Sequence, residues 1–247
     1  MTTGPAPQLG AWVKLPAPES IELLALAGFD FVVIDAEHGA IDVRTMSTMI
    51  GVAIGCSVAP FVRVPGIAPR DVQVPLDAGA RGLFVPQVDD PSRARAAVAA
   101  TRFPPLGRRG ASTSGRAGGW GLDDLDEYLK SGNDEVRLVV AAESAEALTA
   151  IADIAAVPGV DAVFIGPMDL AVSSRLPLGD PTLTALVRAA ERRCVDHGIT
   201  VGTTASGDAA QLLERGYSFL LLGADTMMLR AHGRSLVDSA RATGARR

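Results

Sequence analysis

The chain has 247 residues, 48% of them apolar and 21% charged, enough apolar content for a sizeable core, which excludes a disordered chain. A formal net charge of −5 lacks the basic footprint of a nucleic-acid binder. No apolar run approaches the ~18 residues of a membrane span, and "MTTGPAPQLG" has neither the basic nor the apolar stretch of a secretory signal. Cys56 and Cys194 lie far apart in no metal-type spacing, so a soluble, cytoplasmic protein with reduced thiols is expected.

Taken in chain order, short apolar runs rich in β-branched residues alternate with helix-like stretches. "LGAWVKL" precedes "APESIELLALAG", "FDFVVIDAEH" precedes 42–55, and "SVAPFVRVPG" precedes "APRDVQVPLDAGA". "GLFVPQV" precedes "DPSRARAAVAATRF", and "VRLVVAAES" precedes "AEALTAIADIAAV". "DAVFIGPMDL" leads, after a loop, to "PTLTALVRAAERRCVDHG"; "ITVGTTA" leads to "SGDAAQLLERG"; and "YSFLLLGAD" leads to a last helix near 227–242. The runs are continuous rather than alternating, as in parallel strands covered on both faces. The helical stretches open at Pro, Ser or Asp, and several stop at Gly28, Gly198 or Gly216. Repeated strand–helix units imply right-handed crossovers, and this length predicts one (β/α)8 TIM barrel spanning 1–247. An open doubly wound sheet is the alternative, but the first turn "KLPAPES" lacks its G-x-G-x-x-G. Residues 104–135, rich in Gly and Arg, break the rhythm as a long irregular connection, either functional or a mobile insertion.

Chemistry in a barrel sits at the C-terminal strand ends. Strand two ends at Asp35, Glu37 and His38, strand three at Arg63, and strand four at Pro86 and Gln87. Strand five ends at Glu143, and strand six at Gly166, Pro167 and Asp169. Paired strands lie about 4.8 Å apart, so Glu143 and Asp169 on neighbouring tips can share one cation. All-oxygen ligation suits Mg²⁺, Mn²⁺ or Co²⁺. Singly, Glu143 also reads as a helix N-cap and Asp169 as a turn residue. Arg63 at a buried tip requires an anion, either a substrate carboxylate or developing oxyanion, or a structural partner such as Asp77 or Glu37. His38 suits proton transfer near neutrality, whereas His197 and His232 fall on helices. "GTTASGD" is a weak phosphate-cradle signal beside a plain N-cap. Lys14, one of two lysines, ends the first strand and is the residue a Schiff-base mechanism would need.

The motifs "GFDFVVIDAEHG", "VRVPG", "PLDAGARGLFVPQV", "ATRFPPLGRRG", "GRAGGW" and "VFIGPMDL" together resemble the metal-dependent pyruvate aldolases of the HpcH/HpaI family over almost the whole chain. The resemblance implies reversible cleavage of a 4-hydroxy-2-oxo acid into a 2-oxo acid, such as pyruvate or hydroxypyruvate, and an aldehyde. It makes Glu143 and Asp169 the ligands of one divalent ion per subunit. His38 becomes the acid/base with Asp77 orienting it, and Arg63 stabilises the enolate oxygen. Gly166, Pro167 and Met168 wrap the oxo-acid carboxylate, with Asp35 and Glu37 supporting the site from behind. The family is oligomeric, as a trimer or hexamer, which would set Arg116 of "GRAGGW" near a neighbour's aldehyde. Relatives often carry glutamine where this chain has Ala141, which leaves the donor open. An acyl-CoA lyase of the malyl-CoA type and a catalytically weak oxo-acid-binding barrel are the competing readings.

Overall fold

The computed structural model describes residues 6–205 and 209–244. Eight parallel strands close into a barrel in sequence order, β1 to β8, with β8 pairing back to β1. The strands are β1 (Gln8–Val13), β2 (Phe31–Asp35), β3 (Ala59–Arg63), β4 (Gly82–Val85), β5 (Arg137–Ala142), β6 (Ala162–Ile165), β7 (Val201–Thr204) and β8 (Phe219–Ala224). The first four crossovers are α1 (Pro18–Leu26), α2 (Val43–Gly55), α3 (Pro69–Asp77) and α4 (Pro91–Thr101). Proline in the first turn of α1, α3 and α4 fixes φ where no intrahelical donor is needed. Asp42 and Asp90 cap α2 and α4 through their side chains.

The strands look uniformly apolar because both faces are buried, but the pleat still sorts them. Phe31 and Val33 of β2, Phe84 of β4, Val139 and Ala141 of β5, and Phe164 of β6 fill the barrel with Trp12 and Phe219. Their alternates, Val32, Ile34, Val62, Val85, Val140 and Ala142, belong to the larger layer under the helices. Inside, Phe84 packs edge-on against Trp12, Phe61 and Phe164 at ring separations of 5.6–5.8 Å. Both cysteines are free thiols.

Three expectations change. Residues 104–135 are not irregular throughout: they hold a 3-10 helix (Arg116–Gly121) and α5 (Leu125–Asp134). Lys130 therefore sits on a helix, paired with Asp134 at 3.4 Å. Strand six stops at Ile165, and "PMDLAVSS" folds into an extra helix, α8 (Pro167–Ser174), ahead of α9 (Pro181–Asp196). The crossover after β5 is two short helices, α6 (Ala145–Thr149) and α7 (Ile151–Ala155). The phosphate-cradle reading of 202–208 falls partly on 206–208, which lie outside the described residues. After β7 comes α10 (Ala209–Glu214), and α11 (Asp225–Gly244) closes the order. Most of 227–242 is exposed, Met227, Leu229, Leu236 and Val237 included. No helix among the described residues is long and apolar enough to cross a membrane.

Candidate active site

The same parity that buries Phe31 and Val33 turns Asp35 inward at the C-terminal mouth, and Phe61 does so for Arg63. Asp35 and Arg63 are register partners on adjacent strands. Their pair is bidentate, with Arg63 Nε donating to Asp35 Oδ1 at 2.9 Å and Nη2 to Oδ2 at 2.6 Å. Asp35 also receives the Lys14 ammonium and the backbone N–H groups of Glu37 and His38, at 3.2 and 3.1 Å. Asp35 is fully buried. Burial alone would raise its pKa, but the bonds from Arg63 and Lys14 outweigh it and hold the carboxyl well below the usual range. Arg63 also lies over the Trp12 ring, 4.4 Å from its centroid, and within 3.4 Å of Glu37. Its structural partner is thus Asp35 first and Glu37 second, not Asp77. Lys14 Nζ is engaged by Asp35 and points at that carboxylate rather than into the cleft lining.

Beside this pair opens a cleft of about 320 Å³ lined by Glu37, His38, Gln87, Asp89, Glu143 and Asp169, with Ser144, Val172 and Ser173 completing the wall. Glu143 follows β5 and is buried. Its Oε2 accepts the Gln87 N–H at 2.9 Å. Burial pushes its carboxyl up, and Asp169 and Glu37 add to the rise. Glycine at 166 is required by that packing: a Cβ there would meet Glu143 Cγ at 2.9 Å. Asp169 stands in the first turn of α8, one step later than a strand tip. Among the described residues no group of three or more His, Cys, Asp or Glu side chains is arranged to hold a metal. Of the four cleft carboxylates, Glu37 faces Arg63 and Asp89 holds Ser144, which leaves Glu143 and Asp169, while the nearby cations Arg63 and Lys14 are already engaged by Asp35. Two carboxylates plus ligand and water oxygens are the donor set of a Mg²⁺-like ion, and the mutual repulsion that raises Glu143 is what such an ion would relieve. The residues fit a divalent cation.

His38 is on the rim, its ring 57% exposed and Nε2 3.7 Å from Glu37 Oε2. The carboxylate near it in this chain is Glu37. Asp77 is not brought to His38: it ends α3 at the opposite end of the barrel's helix layer, where it accepts from Arg109 Nη2 at 2.8 Å and from Tyr128 Oη at 3.5 Å. Arg116 is at that end too, Nη1 donating to the Ala78 and Ser47 carbonyls at 2.6 and 3.1 Å. Gly166 caps α8 without a side-chain bond, and Pro167 and Met168 begin it. The first-turn N–H groups of such a helix suit an anion. Gln87, Asp89 and Ser144 are cleft residues to which sequence reading gave no role. Asp89 accepts from Ser144 Oγ at 2.5 Å, which ties the β4 tip to the α6 cap. An acid directly after a strand tip was the available signal. Asp225 was also missed: it accepts from the Lys14 and Leu15 N–H groups at 3.0 and 3.1 Å and fixes the β1 exit.

A larger cavity of about 420 Å³ lies at the other mouth among Phe31, Phe61, Phe84 and Phe219. Its ionisable lining is the mutually paired Arg137 and Asp161, at 2.9 Å, so the chemistry belongs to the smaller, acidic cleft.

A family model described as HpcH/HpaI aldolase/citrate lyase matches residues 8–231. A hydroxypyruvate/pyruvate aldolase of Deinococcus radiodurans is 39% identical over 241 residues, covering 96% of this chain and 86% of that protein. A 5-keto-4-deoxy-D-glucarate aldolase of Salmonella arizonae is 36% identical over 237 residues, covering 94% and 91%. A solved HpcH/HpaI aldolase/citrate lyase family protein from Burkholderia cenocepacia superposes with a TM-score of 0.90 at 34% identity, covering 97% and 96%.

Proposed function

The chain belongs to the HpcH/HpaI aldolase/citrate lyase family, and on that premise we propose that it is a divalent-metal-dependent aldolase, a carbon–carbon lyase. It cleaves a 4-hydroxy-2-oxo acid reversibly into pyruvate, or a related oxo acid such as hydroxypyruvate, and an aldehyde. The observation that carries the reading is the buried Glu143, its charge opposed by Asp169, on a cleft beside an Arg63 locked by Asp35. A divalent ion (Mg²⁺, Mn²⁺ or Co²⁺) on Glu143 and Asp169 would supply Lewis acidity toward the keto oxygen.

The chain's own residues supply the rest. In cleavage, the 4-hydroxyl gives its proton to His38, the C3–C4 bond breaks, and its electrons move to the keto oxygen as an enolate. A proton returned to C3 completes the methyl group. Arg63, unable to turn away from Asp35, keeps a fixed cation where that oxyanion develops. The α8 N-terminus, where Gly166 and Pro167 shape the turn and the Met168 N–H points outward as a donor, receives the oxo-acid carboxylate; the Gly166 N–H is taken by the Ala142 carbonyl and Pro167 has none. Homo-oligomerisation in the cytoplasm is part of the proposal: the exposed apolar side chains of α11 support it. Arg116, with Asp77 on the same face, would reach a site only from a neighbouring copy. The acidic cleft lining disfavours the phosphates of an acyl-CoA thioester. The test is a panel of aldehydes with pyruvate and hydroxypyruvate across the three metals. An aldol adduct is expected from at least one pairing; none from any pairing would sink the reading.

A further inference from the structure

We propose that Gln87, through its side-chain amide, is a substrate-binding residue of this site, donating a hydrogen bond to an oxygen of the bound oxo acid; the proposal rests on the aldolase reading above. Two observations support it. The first is backbone geometry. Gln87 has φ of 55°, in the left-handed region where glutamine is uncommon. Such a conformation persists only where its surroundings enforce it, and it concentrates at functional sites. Here it aims the Gln87 N–H at Glu143 Oε2, while the side chain remains exposed on the cleft.

The second is a count of donors. Pyruvate offers only oxygen acceptors, so beyond Arg63 and the α8 N–H groups any further partner must be an N–H or O–H group of the cleft side chains. Glu37, Asp89, Glu143 and Asp169 accept when ionised. The Ser144 hydroxyl proton is committed to Asp89, and that of Ser173 to the Glu143 and Leu170 carbonyls. Neighbouring Ala141 presents only a methyl group inside the barrel. Among the described side chains lining the cleft, the donors left are His38, which the reaction occupies, and the Gln87 amide.

The test separates side chain from backbone. Gln87→Met removes the amide at similar length, and Gln87→Gly removes it while favouring the same φ. Pyruvate KM is read from solvent exchange of its methyl protons, Mn²⁺ affinity from electron paramagnetic resonance, and folding from circular dichroism. Both variants should fold, bind Mn²⁺ within about twofold of wild type because the N–H to Glu143 survives, and keep kcat within about threefold. Their pyruvate KM should rise roughly tenfold, the value of one hydrogen bond to a charged ligand. If Gln87→Met fails to fold, Gln87→Gly decides. An unchanged KM, or a KM that rises only in step with lost Mn²⁺ affinity, overturns the proposal while the aldolase reading stands. Absence of exchange in the wild-type protein overturns both.

Discussion

Arg63 carries two duties that its sequence context does not separate. It is the fixed cation of the site and the main partner of a fully buried Asp35. Because of that second duty, Arg63→Ala does not spare the fold. Removing one partner of a buried ion pair costs about 3–5 kcal/mol, at the lower end here because Lys14 remains on Asp35. Arg63→Ala should lower Tm measurably and reduce kcat/KM by ~10²–10³. Arg63→Lys should recover part of the stability but little of the rate, since a fork becomes a point charge. A variant with wild-type turnover would refute the assigned role. Asp35 also sets an acid limb. Its folded pKa is depressed, so its contribution is present above the ordinary value of 3.8 and is lost as pH falls below it toward the depressed value. Asp35→Asn should therefore be less stable than wild type near neutrality, with the gap closing in acid. A gap of constant size between pH ~6 and ~3 would contradict this linkage.

At the scale of elements, the strand tips were legible because continuous apolar runs end abruptly in charged residues. Asp35, Arg63 and Glu143 were located that way. Which tips touch was not legible, because it depends on pleat parity and register, and only the closed barrel makes Asp35 and Arg63 partners. Asp169 was assigned to a strand because "VFIGPMDL" reads as one apolar run; Pro167 instead starts α8 at its first turn. Asp77 was drawn to His38 by resemblance, yet α3 delivers it to the opposite end of the barrel, where Arg116, expected at a neighbour's site, also stands. The α8 geometry gives a test. Gly166→Ala would press a methyl on Glu143 Cγ at 2.9 Å, against a side chain with little room to yield. Mn²⁺ affinity should fall about tenfold or more with the melting curve only modestly shifted. Unaltered Mn²⁺ binding would show that Gly166 does not govern the Glu143 position. Lys14→Ala, by contrast, should retain substantial aldol activity, because its ammonium serves Asp35 rather than the substrate. Complete loss of activity in a folded, Mn²⁺-binding variant would return the Schiff-base reading.

For the whole molecule, the barrel closes without help from most of α11, whose 227–242 stretch lies largely exposed. Ending the chain at Thr226 should change the sedimentation coefficient from that of an oligomer to that of a smaller species. An unchanged value would remove α11 from the interface. The central claim, that a cation on Glu143 and Asp169 activates the carbonyl, is tested most directly by solvent exchange of pyruvate methyl protons followed by NMR in chelator-treated protein. The account predicts no exchange after chelation, recovery on adding Mg²⁺, Mn²⁺ or Co²⁺, and no recovery in Glu143→Ala or Asp169→Ala at the same metal concentration. Exchange that persists without metal, accompanied by a borohydride-trapped pyruvyl adduct on the intact chain, would contradict it.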